Sequence, residues 1–271
     1  MTKKRLDILL TEKGFFDSRN KAHSAIMAGQ VFVDGQKQVK AGHKYDEDAN
    51  IEIKGNTLPY VSRGGLKLEK ALKEFKVNPA GRICIDVGAS TGGFTDCLLQ
   101  NGAKLVYAVD VGYGQLAWKL QKDDRVIRLD KTNARNLKPE DLYQDQAHRA
   151  DLATIDVSFI SLSKIFPALY KLLADQAEVI ALVKPQFEAG KKLVEKGGIV
   201  KDPKVHKDVL ESVTKSAEEI GFKVKGTIES PITGADGNIE FLMFLAKGDE
   251  RPVKAHEENQ RHKGMKGYER H

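Results

Sequence analysis

The sequence predicts a doubly wound, mostly parallel α/β sheet preceded by a small α+β domain. Three observations carry this. From about residue 80 onward, short apolar runs alternate with segments of helical period, the pattern of a parallel sheet with helices on both faces. The first of those strands runs into a glycine-rich turn, Asp86-Val87-Gly88-Ala89-Ser90-Thr91-Gly92-Gly93-Phe94. Such turns lie where open sheets bind ligands, at the carboxyl ends of strands. Before residue 60 the order differs: helix, helix, short strands.

Residues 1–59 read as one unit. Leu6, Leu9 and Leu10 recur at helical spacing, and Gly14 follows the run. Asp17 or Ser18 caps a second helix whose inner face is Ala22, Ala25 and Ile26, and Gly29 ends it as a left-handed residue. Val31-Phe32-Val33 is a strand, Asp34-Gly35 a hairpin turn, and Ile51-Glu52-Ile53 a further strand. Pro59, Gly64 and Gly65 mark the stretch from Gly55 to Gly65 as a linker, so residues 60–80 are read as linker plus a lead-in helix carrying Lys67.

The large domain is expected over residues 81–247. Its strands are predicted at Ile83–Val87, Leu105–Val109, Val126–Leu129, Leu152–Ile155 and Val179–Val183, with two more near Phe222–Ile228 and Phe241–Ala246. Helices fill the gaps. The best marked has Asp202 as its N-cap, Pro203 at the first helical position and Gly221 just past its end. The stretch QFEAGKKLVEKGGIVK, residues 186–201, has no clear period and reads as a lid or binding loop. Residues 248–271 are polar and read as a flexible tail.

Composition narrows the function class. The chain has 271 residues, 41% of them hydrophobic, which is enough for a packed core. Its formal net charge of +6 favours a polyanionic partner. The two cysteines, Cys84 and Cys97, lie in apolar segments and form no C-x-x-C pair, which argues against a disulfide scaffold or a thiolate zinc site. No metal is expected. The first residues carry charges within their apolar stretch, unlike a secretory signal, and no apolar run nears the ~20 residues that span a bilayer. The expectation is a soluble, cytoplasmic protein with no membrane partner.

The glycine turn invites a nucleoside-type cofactor, and three features favour S-adenosylmethionine over a dinucleotide. Asp86 ends the strand just before the first glycine, where a carboxylate repels a pyrophosphate but attracts an ammonium group. Ser90 stands where the second glycine of G-x-G-x-x-G would be. Asp110 closes the next strand, where it can accept hydrogen bonds from ribose hydroxyls, and Asp130 closes the third, within reach of an adenine amino group. The expected contacts are therefore Asp86, Gly88 and Gly93 at the methionine end, Asp110 at the ribose and Asp130 at the base, with Ser90, Gly92, Phe94 and Val111 also in the cofactor site.

Methyl transfer to a hydroxyl needs a base, because an alcohol is a poor nucleophile. A lysine serves only when part of it is neutral, which burial or a second cation favours. Four residues make such a set: Lys67 before the sheet, Asp156 after the fourth strand, Lys184 after the fifth and Glu240 at the start of the last. Their order, together with DVGASTGGF and LVKPQFE, resembles the FtsJ-like ribose 2′-O-methyltransferases, which have a Rossmann-like methyltransferase fold. The first ~50 residues resemble the S4 RNA-binding domain, through Arg5-Leu6-Asp7, Ser18-Arg19, Ala22, Ile26, Gly29-Gln30-Val31 and Val33-Asp34-Gly35. The whole chain thereby resembles the TlyA family, also labelled hemolysin A. That resemblance implies 2′-O-methylation of cytidine in ribosomal RNA or ribosomal subunits, with Lys184 as base and Asp156, Lys67 and Glu240 orienting it and the ribose. RNA contacts are expected at Arg5, Ser18, Arg19, Lys21 and Arg63. Two other readings stay open: a membrane-lytic protein, as the hemolysin label suggests, and an RNA-binding protein whose methyltransferase domain is inactive.

Overall fold

The leucines of the first segment form the helix that their spacing predicts, and they close a small core of their own. The computed structural model describes residues 3–16, 18–27, 29–54, 58–143, 148–190, 193–195, 197–234 and 237–248. The predicted cap Asp17 and the tail from residue 249 lie outside them. The chain divides into two compact units, residues 1–59 and 60–271.

The first unit runs β1 (Lys4–Arg5), α1 (Leu6–Glu12), α2 (Arg19–Met27), β2 (Val31–Val33), β3 (Gln36–Gln38), β4 (Lys44–Tyr45) and β5 (Ile51–Ile53). Strand β2 pairs antiparallel with both β3 and β5, and β1 with β4. Leu6, Leu10, Ala22, Ile26, Val31 and Val33 pack together out of water. Each large aliphatic buried there contributes about 1.5–3 kcal/mol. Gly29 (φ 68°) ends α2, and Asp34 and Gly35 (φ 50° and 75°) turn the β2–β3 hairpin as a type I′ pair. Ser18 does act as a cap, its Oγ accepting the Lys21 N–H at 3.4 Å.

Arg5 and Arg19 are not free cations. Both donate to the buried carboxylate of Asp7, at 3.1 and 2.8 Å. Burial alone would raise that carboxyl, but the two guanidiniums outweigh it and hold it at about 2. The trio therefore presents one net positive charge on a fixed frame.

The second unit runs α3 (Gly64–Glu74), β6 (Ile83–Val87), α4 (Gly93–Gln100), β7 (Leu105–Val109), α5 (Trp118–Gln121), β8 (Val126–Leu129), α6 (Pro139–Leu142), β9 (Leu152–Ile155), α7 (Phe166–Leu172), β10 (Ala177–Val183), α8 (Pro185–Glu188), α9 (Pro203–Ile220), β11 (Lys223–Glu229) and β12 (Phe241–Lys247). These strands form one sheet in the order β11-β12-β10-β9-β6-β7-β8. The five from β10 to β8 are parallel; β12 and β11 are antiparallel additions. The chain steps outward from β6 to β8, then returns to β9 on the other side of β6. The crevice between β6 and β9 is thus the switch point of the sheet, the usual ligand position.

Helix α9 starts and stops as its sequence predicts. The Asp202 side chain accepts the Lys204 N–H, and Gly221 takes the left-handed conformation. The expected linker is corrected from Tyr60 on. Tyr60, Leu68, Ala71, Leu72 and Val77 pack into a core with α4 and the sheet, and the Val61 N–H donates to Asp96 at 2.8 Å. The glycines there serve a close approach of α3 to α4 rather than freedom of the chain: a Cβ on Gly93 would meet Ser62 Oγ and the Gly65 backbone. The stretch after β10 begins as the short helix α8, and its later part is tied down, since buried Asn238 accepts the Val200 N–H and donates to the Gly198 carbonyl.

Candidate active site

Five parallel strands deliver their carboxyl ends to one edge, and β12 delivers its amino end to the same edge. Because Val183 pairs with Phe241, the residue after β10 lies beside the residue before β12. Lys184 and Glu240 are therefore neighbours across the sheet edge, 56 residues apart in sequence. Asp156 follows β9, the other neighbour of β10. Lys67 comes in from α3.

A cleft of about 490 Å³ takes all four of these residues into its lining. They form two ion pairs. Lys67 Nζ meets Glu240 Oε2 at 2.5 Å, with both side chains almost wholly buried, at 7% and 2% exposure. Lys184 Nζ meets Asp156 Oδ1 at 2.6 Å and also donates to Ser158 Oγ at 3.0 Å. The same cleft is lined by Ser62, Arg63, Ser90, Gly93, Phe94, Phe159, Gln186 and Phe187.

A second cleft of about 470 Å³ shares a wall with the first: Gly88, Ser90, Asp156, Ser158 and Phe159 line both. Its other walls include Asp110, Val111, Thr132, Asn133, Ile160 and Ile165. Asp110 accepts the Ser90 and Gly112 N–H groups, each at 2.7 Å, and so couples the glycine turn to the end of β7. Gly88 (φ 85°) is required here, because a Cβ would lie 2.3 Å from the Asp156 carbonyl oxygen.

Three of the expected cofactor residues lie elsewhere. Asp86 is wholly buried and lines neither cleft; its oxygens accept Thr95 Oγ1 at 2.6 Å and Thr154 Oγ1 at 2.8 Å. It lies within β6, one residue short of the strand's end, so the sheet holds it inside. Gly92 faces Leu116 and Leu120 rather than a cleft, because the chain of residues 116–120 packs over it. Asp130 sits in a small recess with Arg128 and accepts the Gly114 N–H at 3.3 Å. Thr132 and Asn133, just beyond it, line the second cleft, which Asp130 does not.

Burial pushes the Asp86 carboxyl up to about 6, against the pull of its two threonine partners and with a further push from Asp156. A carboxyl raised in the folded state favours folding at low pH and penalises it as pH rises from about 4 to about 6. The Asp86→Asn variant should lose that slope. Thermal melts of both proteins across this range check it: a stability difference that does not change with pH would count against the shift.

Several lining residues escaped the sequence reading. Phe159 is 90% exposed with a positive φ of 63°; Ser90, already among the expected cofactor contacts, has a positive φ too, at 49°. Such conformations cost of order 1–3 kcal/mol each and gather at functional sites. Phe159 meets Phe187 at 4.9 Å between ring centroids. Glu188 joins α8, which carries Phe187, to the segment after Phe159, accepting Ser161 Oγ at 2.6 Å and the Leu162 N–H at 2.8 Å; burial pushes its carboxyl up. The available signal was an aromatic three residues after a strand-end acid, outside any apolar period.

A sheet with two joined clefts at its switch point, one lined by lysine–carboxylate pairs, defines a class of group-transfer enzymes that work beside a nucleoside-type cofactor. Residues 60–247 match the FtsJ-like methyltransferase family and residues 4–51 the S4 domain, and the chain belongs to the FtsJ-like methyltransferase family. A relative from Bacillus subtilis (strain 168), provisionally named as the rRNA methyltransferase YqxC, is 56% identical over 90% of this chain and 85% of its own. The 16S/23S rRNA (cytidine-2'-O)-methyltransferase TlyA of Mycobacterium tuberculosis (strain CDC 1551 / Oshkosh) is 43% identical over 93% of this chain and 92% of its own. A solved structure from Streptococcus thermophilus, provisionally named as a hemolysin, is 51% identical and superposes with a TM-score of 0.72 over 92% of this chain and 90% of that one. Among the described residues, no helix is long and apolar enough to cross a membrane.

Proposed function

We propose that this chain methylates the ribose 2′-hydroxyl of cytidine in ribosomal RNA, using S-adenosylmethionine, in the cytoplasm. One observation carries the reading: a buried Lys67–Glu240 pair and a Lys184–Asp156 pair line one cleft, which opens along a shared wall onto a second cleft with Asp110. The named activity of the relatives supports the substrate.

The second cleft suits the cofactor. Asp110 offers carboxylate oxygens to ribose hydroxyls, Val111, Ile160 and Ile165 give apolar walls for a purine, and Thr132 and Asn133 give polar atoms. Gly88 and Ser90 let the methionine end approach the backbone at the shared wall. S-adenosylmethionine, when bound, supplies an electrophilic methyl group. The protein's own part is to position and deprotonate the ribose hydroxyl. Lys184 accepts the proton at Nζ, Asp156 holds that nitrogen in place, and the Lys67–Glu240 pair orients the ribose. Phe159 and Phe187 offer ring faces to the base of the target nucleotide, which must leave its stack to reach so deep a site. Arg63 offers a cation at the rim for a phosphate. No metal takes part, so activity should survive EDTA.

The direct test is methylation of ribosomal RNA with labelled cofactor, followed by mapping of 2′-O-methyl positions. Label on a base, or none on RNA, would overturn the reading. Asp110→Ala should weaken cofactor binding by about 1–3 kcal/mol, because it leaves hydrogen-bonding groups unpaired. Calorimetry reads this directly, and unchanged affinity in a folded variant would remove Asp110 from the site.

In the first unit, the Arg5–Asp7–Arg19 trio, with Ser18 and Lys21 close by in sequence, is read as an RNA phosphate contact. Reversing the charge at Arg19 would strip Asp7 of a partner, so the neutral Arg19→Gln is the cleaner probe. It should weaken RNA binding and flatten its salt dependence by about one counterion. An unaltered salt slope in a variant that melts normally would mean that Arg19 does not touch the backbone.

A further inference from the structure

Two large aromatic side chains stand in water beside the clefts and belong to neither. Tyr113 is 74% exposed and Trp118 is 67% exposed. Each carries a lysine on a ring face: Lys131 Nζ lies 4.7 Å from the Tyr113 centroid, and Lys122 Nζ lies 4.6 Å from the Trp118 centroid. Rings of this size normally bury most of their area, so two left exposed beside cations need a reason.

The backbone under them is pinned. The Ala117 N–H donates to the Thr91 carbonyl at 3.1 Å, the Lys131 N–H to the Gly112 carbonyl at 2.8 Å, and Gln121 Nε2 to the Leu116 carbonyl at 2.6 Å. Leu116 and Leu120 are buried on either side of Trp118 and anchor it. The rings are thus displayed from a fixed frame. Thr91 is itself part of the lining of the first cleft, so this frame begins at the cleft's own wall.

We propose that Tyr113 and Trp118, with Lys131 and Lys122, form a stacking surface for unpaired bases of the RNA next to the target nucleotide; the proposal rests on the RNA reading above. The chemistry selects this occupant. An exposed ring stacks on any base through the face that its lysine leaves open, and the lysine on the other face offers a cation to the phosphate that follows. Lys119 is already paired with Asp96 at 2.9 Å, whereas Lys122 and Lys131 lie over the two rings. An apolar protein surface would find lysines across the very rings it had to cover.

Trp118 is the chain's one tryptophan, so the surface carries its own reporter. Ribosomal RNA transcripts should quench its emission on binding to the full chain, with a midpoint equal to the Kd from filter binding. Heparin, a polyanion without bases, should bind without comparable quenching. The double variant Tyr113→Ala/Trp118→Ala should raise the KM for RNA by roughly 30-fold or more, since stacking is worth about 1–3 kcal/mol per base and two rings are lost. Its kcat and its cofactor Kd should stay near wild type, and Trp118→Phe should restore most of the loss. RNA that binds and is methylated without changing Trp118 emission, or a double variant with an unaltered KM, overturns the proposal and leaves the enzyme reading standing. A raised cofactor Kd with unaltered RNA binding would assign the patch to the cofactor instead and also overturn it. Failure of RNA to bind at all would bring down both readings.

Discussion

Replacing Lys184 by alanine should abolish methyl transfer, by at least ~100-fold in rate, while cofactor binding stays intact. The side chain lies at the end of β10 with its ammonium on Asp156 and Ser158, at 2.6 and 3.0 Å. Removing it leaves the glycine turn and the Asp110 contacts untouched, so the cofactor cleft should keep its shape. Lys184→Arg should not rescue the rate, because a guanidinium stays protonated at any usable pH and cannot accept the ribose proton. Single-turnover kinetics with saturating RNA would read the chemical step. Near-wild-type rates in Lys184→Arg would leave the residue only an electrostatic role, and the proton would have to depart through water.

The second large effect is expected at the buried pair. Glu240→Ala strands the Lys67 ammonium in a site where it is 7% exposed. Removing one partner of a buried ion pair typically costs about 3–5 kcal/mol, because the remaining charge is neither solvated nor paired. In a domain of this size that lowers the melting temperature by roughly 6–20 °C, at about 2–4 °C per kcal/mol. The double variant Lys67→Met/Glu240→Leu should recover much of that stability, since an apolar pair of similar volume replaces both charges at once. It should stay inactive, because the groups that orient the ribose are gone. A Glu240→Ala protein that melts like wild type would show that the lysine reaches water. An active double variant would reduce the pair to a structural brace.

Much of the architecture can be read from local sequence. The strands Ile83–Val87, Leu105–Val109, Val126–Leu129 and Leu152–Ile155 appear at their predicted bounds, because each is a short apolar run between turn residues. The caps of α9, the Asp34-Gly35 turn and the Gly29 stop are likewise local, set by one residue's φ or one side chain's reach. The four residues Lys67, Asp156, Lys184 and Glu240 were legible as a set because each stands at an element's edge in a recognisable motif.

Tertiary structure decided how they pair. Lys67 with Glu240, and Lys184 with Asp156, follow from the order β12-β10-β9 and the Val183–Phe241 register, which no local pattern encodes. It also decided which strand-end acid faces a cleft. Asp110 lies one residue beyond β7 and reaches the opening, whereas Asp86 lies inside β6, where Thr95 and Thr154 hold it in the interior. A shift of two residues relative to the strand end separates a cleft-lining acid from an internal brace. Sequence determined that acids would stand at this edge; only the pleat, the neighbouring strands and the helix packed above determined which of them meet the outside.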